Sequence, residues 1–396
     1  MATLDPQAIL DGRSPGRPSV MLIIGMVVSS LCAMIALGLY AVFGGTGFVV
    51  GLGLAILPVP MLVAVVLALD RLEPEPPKDL IFAFLWGAGV AVLGALILNT
   101  LGYRYVTMPL FGDTDGRFWT AAVGAPIIEE SLKGAVLFVL LWFRRNEIDG
   151  ITDGIVYAAM VALGFAMMEN ISYYMQALDG PGGVKSLESV FVLRGLISPF
   201  GHPLFTAMTG LGVAYAANHR TGRTAALILG LLGAMLLHGM WNASTAFGVK
   251  GLLVVYLIDF GILLVLLVLI FNERRALVRE IGQYLPLYQG TGLVSPQDIQ
   301  MLATMPQRRV ARRWARTVGG RFSARAMSDY QLAATELVLL HQRMDAGVID
   351  QGFFASRQAE LMNLMYWTRQ AFLSQPGDPG AAPWGPSGFA PPPPHR

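Results

Sequence analysis

Eight apolar runs, each long enough to cross a bilayer, follow one another between residues 19 and 271. They fall at 19–43, 48–69, 79–101, 119–143, 152–176, 197–217, 224–247 and 251–271. A helix rises 1.5 Å per residue, so about 20 residues span a hydrocarbon core about 30 Å thick. Lipid gives the backbone no hydrogen-bond partner, so each run must satisfy its own peptide groups, which a helix does. Composition agrees: 54% of the chain is hydrophobic and only 14% charged, where soluble domains carry about 25% charge. The expected fold is all-α and polytopic, with about eight transmembrane helices, the second kinked at Pro58 and Pro60.

The runs divide the chain. Residues 1–18 form a polar N-terminus, 19–272 the transmembrane domain, 273–374 a small helical cytoplasmic region and 375–396 a Pro/Gly-rich tail expected to be disordered. The first run is too long for a signal-peptide core and is expected to stay as a spanning helix. Arg13, Arg17, Arg71, Lys78, Arg144, Arg145, Arg220 and Arg223 fall on one side, against Arg104, Arg117, Lys185, Arg194 and Lys250 on the other. The excess, with Arg274, Arg275 and Arg279 beyond the last run, predicts cytoplasmic termini. The single cysteine, Cys32, excludes an intrachain disulfide and a cysteine metal site.

Two features mark the C-terminal region. Between Gln307 and Arg325 stand Arg308, Arg309, Arg312, Arg313, Arg316, Arg321 and Arg325 without an acid. Such a run reads either as contact with anionic lipid, worth about 1 kcal/mol per charge, or as a solvated helix face. Nucleic acid is not expected as a partner of a membrane-tethered chain. Apolar residues at helical spacing, including Leu337, Leu340, Leu361, Leu364 and Trp367, then predict helices at Ser328–Met344 and Asp350–Leu373 that form a hairpin.

The fourth run carries charge at its centre: Glu129, Glu130 and Lys133. A charged residue in mid-span costs about 2.5–3.5 kcal/mol, so such residues face a polar interior. Successive helical residues are turned by about 100°, which separates the two glutamates, and Lys133 lies one turn beyond Glu129, positioned to neutralise it. Glu169, four residues after Phe165, lies in the fifth run, His202 in the sixth, and His238 and Asn242 one turn apart in the seventh. Counted from the non-cytoplasmic ends, Glu129 and Glu130 lie about 15 Å deep, His238 about 13 Å, Glu169 about 10 Å, and His202 and Asn242 about 8 Å. The helices alternate in direction, so this agreement in height is not built in by spacing. Taken singly, Asn242 reads as an interhelical hydrogen bond, each histidine as packing, Glu169 as a snorkelling side chain and Glu129 with Lys133 as a structural pair. Two adjacent mid-membrane carboxylates are not required by packing, and the six together point to a site.

The chemistry that suits them is hydrolysis. A glutamate takes a proton from water, a histidine orients the water, and a second histidine with asparagine donates to the oxyanion. No serine or cysteine is arranged as a nucleophile with this cluster.

EESLK at Glu129–Lys133, DGIVYAAMVALGFAMMEN at Asp153–Asn170, HPLFTAMTG from His202 and HGMWN at His238–Asn242 together resemble the PrsW family of intramembrane proteases, relatives of the type II CAAX prenyl endopeptidases. The resemblance covers roughly Ile81–Phe271. It implies a glutamate-dependent protease of a bacterial cell membrane, without a cofactor, that cleaves a membrane-anchored protein, the best-known role being the first cut of an anti-sigma factor outside the cytoplasm. It makes Glu129 and Glu130 the essential pair, with either as base, and assigns Glu169, His202, His238 and Asn242 to the later motifs. Lys133, Phe165 and Arg194 become supporting or substrate-orienting residues. The CAAX relatives have a histidine where this chain has Glu169, which implies a different hold on the water.

Two alternatives stand beside this one. Glu129, Glu130, Glu169, His202 and His238 offer ligands to zinc, although no HExxH spacing is present. Buried charge also marks proton-coupled transporters and inactive scaffolds, although no internal repeat is visible.

Overall fold

A computed structural model describes residues 19–69, 74–145 and 148–373. The polar N-terminus with Arg13 and Arg17, Arg71, and the Pro/Gly-rich tail lie outside them. The described residues contain helices and no strands, and they fall into two compact units divided between Ile270 and Phe271.

The first unit opens with α1 (Val20–Ile56), kinked at Gly45, and α2 (Val59–Leu69), which restarts after a turn at Leu57 and Pro58 where the kink was expected. Then come α3 (Pro77–Trp86), α4 (Val92–Gly102), α5 (Met108–Trp119) and α6 (Ala125–Arg144). They are joined without a loop by π-helical turns at Gly87–Ala91, Tyr103–Thr107 and Thr120–Gly124. Next are α7 (Ile151–Asp179), α8 (Gly183–Phe191) with a π-turn at Val192–Ile197, α9 (Gly201–Asn218), α10 (Arg223–Ser244) and α11 (Gly248–Tyr284), whose residues from Phe271 belong to the second unit.

Among the described residues, four helical stretches are long and apolar enough to cross a membrane: Val20–Leu69, Pro77–Phe143, Ile151–Asp179 and Arg223–Thr291. The first, second and fourth run to 50, 67 and 69 residues, at least two crossings each at 1.5 Å per residue. They break at Gly45, Gly112 and Gly248. The connection expected over 102–118 is therefore helical almost throughout and reverses at Gly112. Its φ of 79° is open to glycine and costly for other residues. The run expected at 197–217 begins instead at Gly201, because the preceding π-turn ends at Ile197, and the short helix α8 has no counterpart among the eight expected runs.

Helix α7 is the centre of this unit. Its apolar window is 83% buried, against 17% for Val20–Leu69. The outer helix α1 turns Ile23, Val27, Leu31 and Ile35 outward, as a lipid-facing surface requires. The start of α7 is fixed by Asp153, whose Oδ2 accepts from the backbone N–H groups of Asp149 and Gly150 at 3.0 and 2.7 Å. Small residues let its neighbours approach: a Cβ on Gly210 would lie 2.2 Å from the Gly154 carbonyl oxygen, and one on Gly154 2.3 Å from that of Gly210. Backbones this close fix the α7–α9 crossing and with it the relative height of Glu169 and His202.

The second unit packs the last turns of α11 with α12 (Pro296–Leu302), α13 (Met305–Asp345) and α14 (Gln351–Leu373). Leu337, Leu340, Leu361 and Leu364 are core residues, whereas Trp367 stays exposed at 39%. Buried in this core, Arg369 donates to Asp298 at 2.5 Å and to the Tyr330 hydroxyl at 3.2 Å. Helix α13 reaches back past the expected start at Ser328 and takes in the whole arginine segment. Arg308, counted with that segment, is buried and donates to the Leu302 carbonyl and to Thr335.

Overpacking a tight helix crossing costs about 1–3 kcal/mol or more. Gly210→Leu is expected to lower the melting temperature in detergent by several degrees or prevent accumulation. Gly261→Leu, where a Cβ would meet nothing within 4 Å, is expected to be silent in the same measurement.

Candidate active site

Pro126 stands at the start of α6, where its missing N–H deprives a carbonyl of the preceding π-turn of its helical donor. That π-turn, Thr120–Gly124, sets the rotation of the helix before the two glutamates. Glu129, Glu130 and Lys133 all point inward, and Glu130 and Lys133 are fully buried. The lysine chooses Glu130. Its Nζ donates to Glu130 Oε1 at 2.8 Å and lies 3.8 Å from Glu129 Oε2, so the expected pairing one turn back gives way to the pair at i and i+3, which shares the same face. Nζ also donates to His202 Nδ1 at 3.0 Å and sits 3.9 Å above the centre of the Phe165 ring.

The two glutamates differ in what is left open. Glu130 Oε1 accepts from Lys133 and from His238 Nδ1 at 2.9 Å, while Oε2 accepts from Thr206 at 2.8 Å. Glu129 Oε1 accepts from Asn99 Nδ2 at 3.0 Å, but its buried Oε2 has no hydrogen-bond partner. That oxygen lies 3.8 Å from His238 Nε2, the ring nitrogen that the bond to Glu130 leaves as an acceptor.

Helices α7, α8 and α9 supply the next layer. His202 Nε2 donates to Glu169 Oε2 at 3.0 Å. Arg194, on the π-turn after α8, donates to Glu169 and, at 2.6 Å, to Asn170 Oδ1, and stacks 3.8 Å over the Tyr173 ring. His202 and His238 meet edge to face at 4.9 Å, and Phe205 stacks on His238 at 5.3 Å. Side-chain exposure rises from 0% at Glu130 to 18% at Glu169, toward a cleft of about 20 Å³ lined by Asn170, Arg194, Ser198, His202, Phe205 and Trp241. That volume holds roughly one water molecule.

Five expected site residues thus meet: Glu129, Glu130, Glu169, His202 and His238, with Lys133, Phe165 and Arg194 in contact with them. Asn242 does not join their hydrogen bonds. Its amide donates to the Ala121 carbonyl at 2.8 Å, which ties α10 to the π-turn before α6, so the donor pair expected for an oxyanion is not assembled. Asn99, Thr206 and Phe205 were not expected. Asn99 had a signal as the amide inside the third apolar run, and Thr206 as the hydroxyl one turn after His202.

The donor set is compatible with a metal ion. Glu129, His202 and His238 each offer a ligand atom, all within 4.8 Å of one another. A carboxylate and two imidazoles are ligand types that catalytic zinc accepts. Glu129 Oε2 is a buried oxygen without a partner, and the hold of Glu130 on His238 Nδ1 is the outer contact that ligating histidines usually carry. His202 Nδ1 differs in being engaged by Lys133.

A family described as "PrsW family intramembrane metalloprotease" matches residues 75–271. The chain is 30% identical over 151 residues to Protease PrsW of Oceanobacillus iheyensis, covering 38% of this chain and 66% of that one. It is 31% identical over 175 residues to Protease PrsW of Bacillus subtilis, covering 44% and 72%. With Protease PrsW of Clostridioides difficile it shares 28% over 191 residues, covering 48% and 76%. The chain thus spans about two thirds to three quarters of these relatives' lengths. No solved structure matches the chain.

Removing one partner from a buried charge network costs about 3–5 kcal/mol. Glu130→Gln, which weakens contacts to Lys133, His238 and Thr206, is expected to lower the melting temperature in detergent by roughly 10 °C. Glu129→Gln, with Oε2 unpartnered, is expected to lower it much less. Equal shifts would contradict this division between the two carboxylates.

Proposed function

Because the chain belongs to the PrsW family of intramembrane metalloproteases, we propose that it hydrolyses a peptide bond of a membrane-anchored protein with water activated at Glu129. Membership makes it a membrane peptidase. The single observation that carries the reading is the open pair formed by Glu129 Oε2 and His238 Nε2, 3.8 Å apart in a buried site. One water between them donates to one and is oriented by the other, and Glu129 Oε2 receives its proton as the oxygen attacks the carbonyl.

The surrounding groups act by position. Asn99 fixes Glu129 through Oε1. Glu130 holds the Nδ1–H tautomer of His238, which leaves Nε2 facing the water. Glu169, clamped by Arg194, holds His202. Negative charge that develops on the substrate oxygen lies in the field of Lys133, the buried cation of the cluster. The substrate carbonyl approaches from the cleft beside Arg194 and Trp241. The proposed substrate is a single-span protein such as an anti-sigma factor, cut on the non-cytoplasmic side, with both termini of the protease in the cytoplasm.

The convergence of Glu129, His202 and His238 favours a second reading of the same site. These three residues would hold a divalent ion, which when bound supplies Lewis acidity and lowers the pKa of water toward about 7. In that reading Lys133 releases His202 Nδ1, while Glu130 keeps its bond to His238.

One experiment addresses both readings. Purified protein is assayed on a single-pass substrate before and after chelation, with its metal content measured, beside Glu129→Gln. Glu129→Gln is expected to lower kcat by about 10²- to 10⁴-fold, the usual worth of general acid–base catalysis. Undiminished cleavage by that variant would remove the proposal. Loss on chelation with recovery on added zinc selects the metal reading, and full activity in metal-free protein eliminates it. Membrane proteins that stay intact only in Glu129→Gln cells identify the substrate.

A further inference from the structure

Helix α13 does not run straight. It bends at Gly319 and Gly320, and the two arms fold back on each other. Arg308 donates to Thr335 at 2.9 Å and accepts from Gln331 Nε2 on its carbonyl at 3.1 Å, contacts between residues 27 and 23 apart in the chain. In the same register Ala311 and Ala315 of the first arm share the core with Ala326 and Tyr330 of the second. The bend is therefore the tip of an antiparallel helical hairpin.

That tip is cationic. Arg312, Arg313 and Arg316 lie within two turns before the bend, and Arg321 and Arg325 follow it. Arg309, Arg313, Arg316, Arg321 and Arg325 are exposed, and Arg312 is half-buried. Among the described residues none of these six lies in an ion pair, in contrast to Arg357 and Arg369 of the same unit. Burial and the charge of Arg309 both push the Arg312 pKa down, the mark of cations crowded without anions. Asp329, one turn after Arg325, bears on the cluster, but burial lifts its pKa to about 6. Arg308, the member of the sequence run that points inward, is taken up by Leu302 and Thr335 and does not belong to the surface.

We infer that the arginine tip of the α13 hairpin docks on anionic phospholipid headgroups. The fold places four exposed guanidinium groups, Arg313, Arg316, Arg321 and Arg325, within two turns of one bend, with exposed Arg309 farther back on the first arm, a shape that fits a layer of phosphates. The occupant follows from tethering: Arg309 is within about 40 residues of Phe271, where the last apolar run ends, so the bilayer surface is the polyanion at the highest effective concentration. Each arginine near an anionic surface contributes roughly fivefold to the association, and salt weakens it because these charges are exposed.

The test uses the full chain in nanodiscs of phosphatidylcholine, with or without phosphatidylglycerol, and follows amide hydrogen exchange of residues 305–327. Exchange is expected to slow at least fivefold in the anionic discs, and the slowing to vanish in about 1 M salt, where the Debye length is roughly 3 Å, and in the triple variant R313E/R316E/R321E. Unchanged exchange of α14 in that variant shows that the unit still folds; if it changes, R316Q/R321Q carries the same test. Identical exchange in the two kinds of disc, or slowing that survives charge reversal, would overturn the inference. So would slowing by single-stranded RNA in phosphatidylcholine discs without any response to phosphatidylglycerol.

Discussion

A lysine ammonium held away from water must be surrounded by acceptors, and the membrane unit is organised around that requirement at Lys133. Its charge is met by Glu130, His202 and the face of Phe165, with Glu129 a little farther away. These groups come from three helices, and the histidine that braces Glu130 comes from a fourth. An isolated buried charge costs several kcal/mol, whereas a complete network offsets that cost through short, charge-assisted contacts. The helices therefore cannot slide or rotate independently. Satisfaction of the lysine and assembly of the site are one event.

The irregular helix turns serve the same end. Thr120–Gly124 and Val192–Ile197 are π-turns, and each directly precedes a site element: the first the glutamate helix, the second the turn into α9 and His202. One extra residue in a turn rotates everything beyond it, and such turns frequently stand at functional sites. Asn242 then acquires a structural meaning. By donating to Ala121 it fastens α10, which carries His238, to the π-turn that precedes the glutamates, without joining the side-chain hydrogen bonds of either.

Much of this was legible in the sequence, for a physical reason. Lipid forces long apolar runs, so the all-α fold could be read directly, and charge inside those runs is costly enough that Glu129, Glu130, Lys133, Glu169 and His238 announced themselves. Depth could be counted because helical rise is constant, and the residues counted to similar heights do meet, Asn242 excepted. Rotation could not be counted. Four π-turns among the described residues shift the phase of the helices, so spacing could not say that the Asn242 amide would turn to the Ala121 carbonyl. Within α6 itself, spacing left Lys133 free to take either Glu129 or Glu130. The reversal at Gly112 was hidden because a single residue in the left-handed region leaves no compositional trace beyond one glycine. Arg308 resembled its neighbours until the bend at Gly320 placed Thr335 beside it.

The unequal treatment of two adjacent carboxylates then gives the site its direction. Glu130 is enclosed by Lys133, His238 and Thr206, and an anion so fully donated to keeps its geometry fixed. Glu129 keeps one oxygen without a donor, on the side where His238 Nε2 is also open. From there exposure rises through His202 to Glu169 and Arg194, and His202 is the member of the cluster that, with Arg194, lines the cleft. In the proposed reaction this asymmetry divides the work: the enclosed Glu130 keeps His238 and Lys133 in place, while Glu129, with one oxygen free of donors, exchanges the proton.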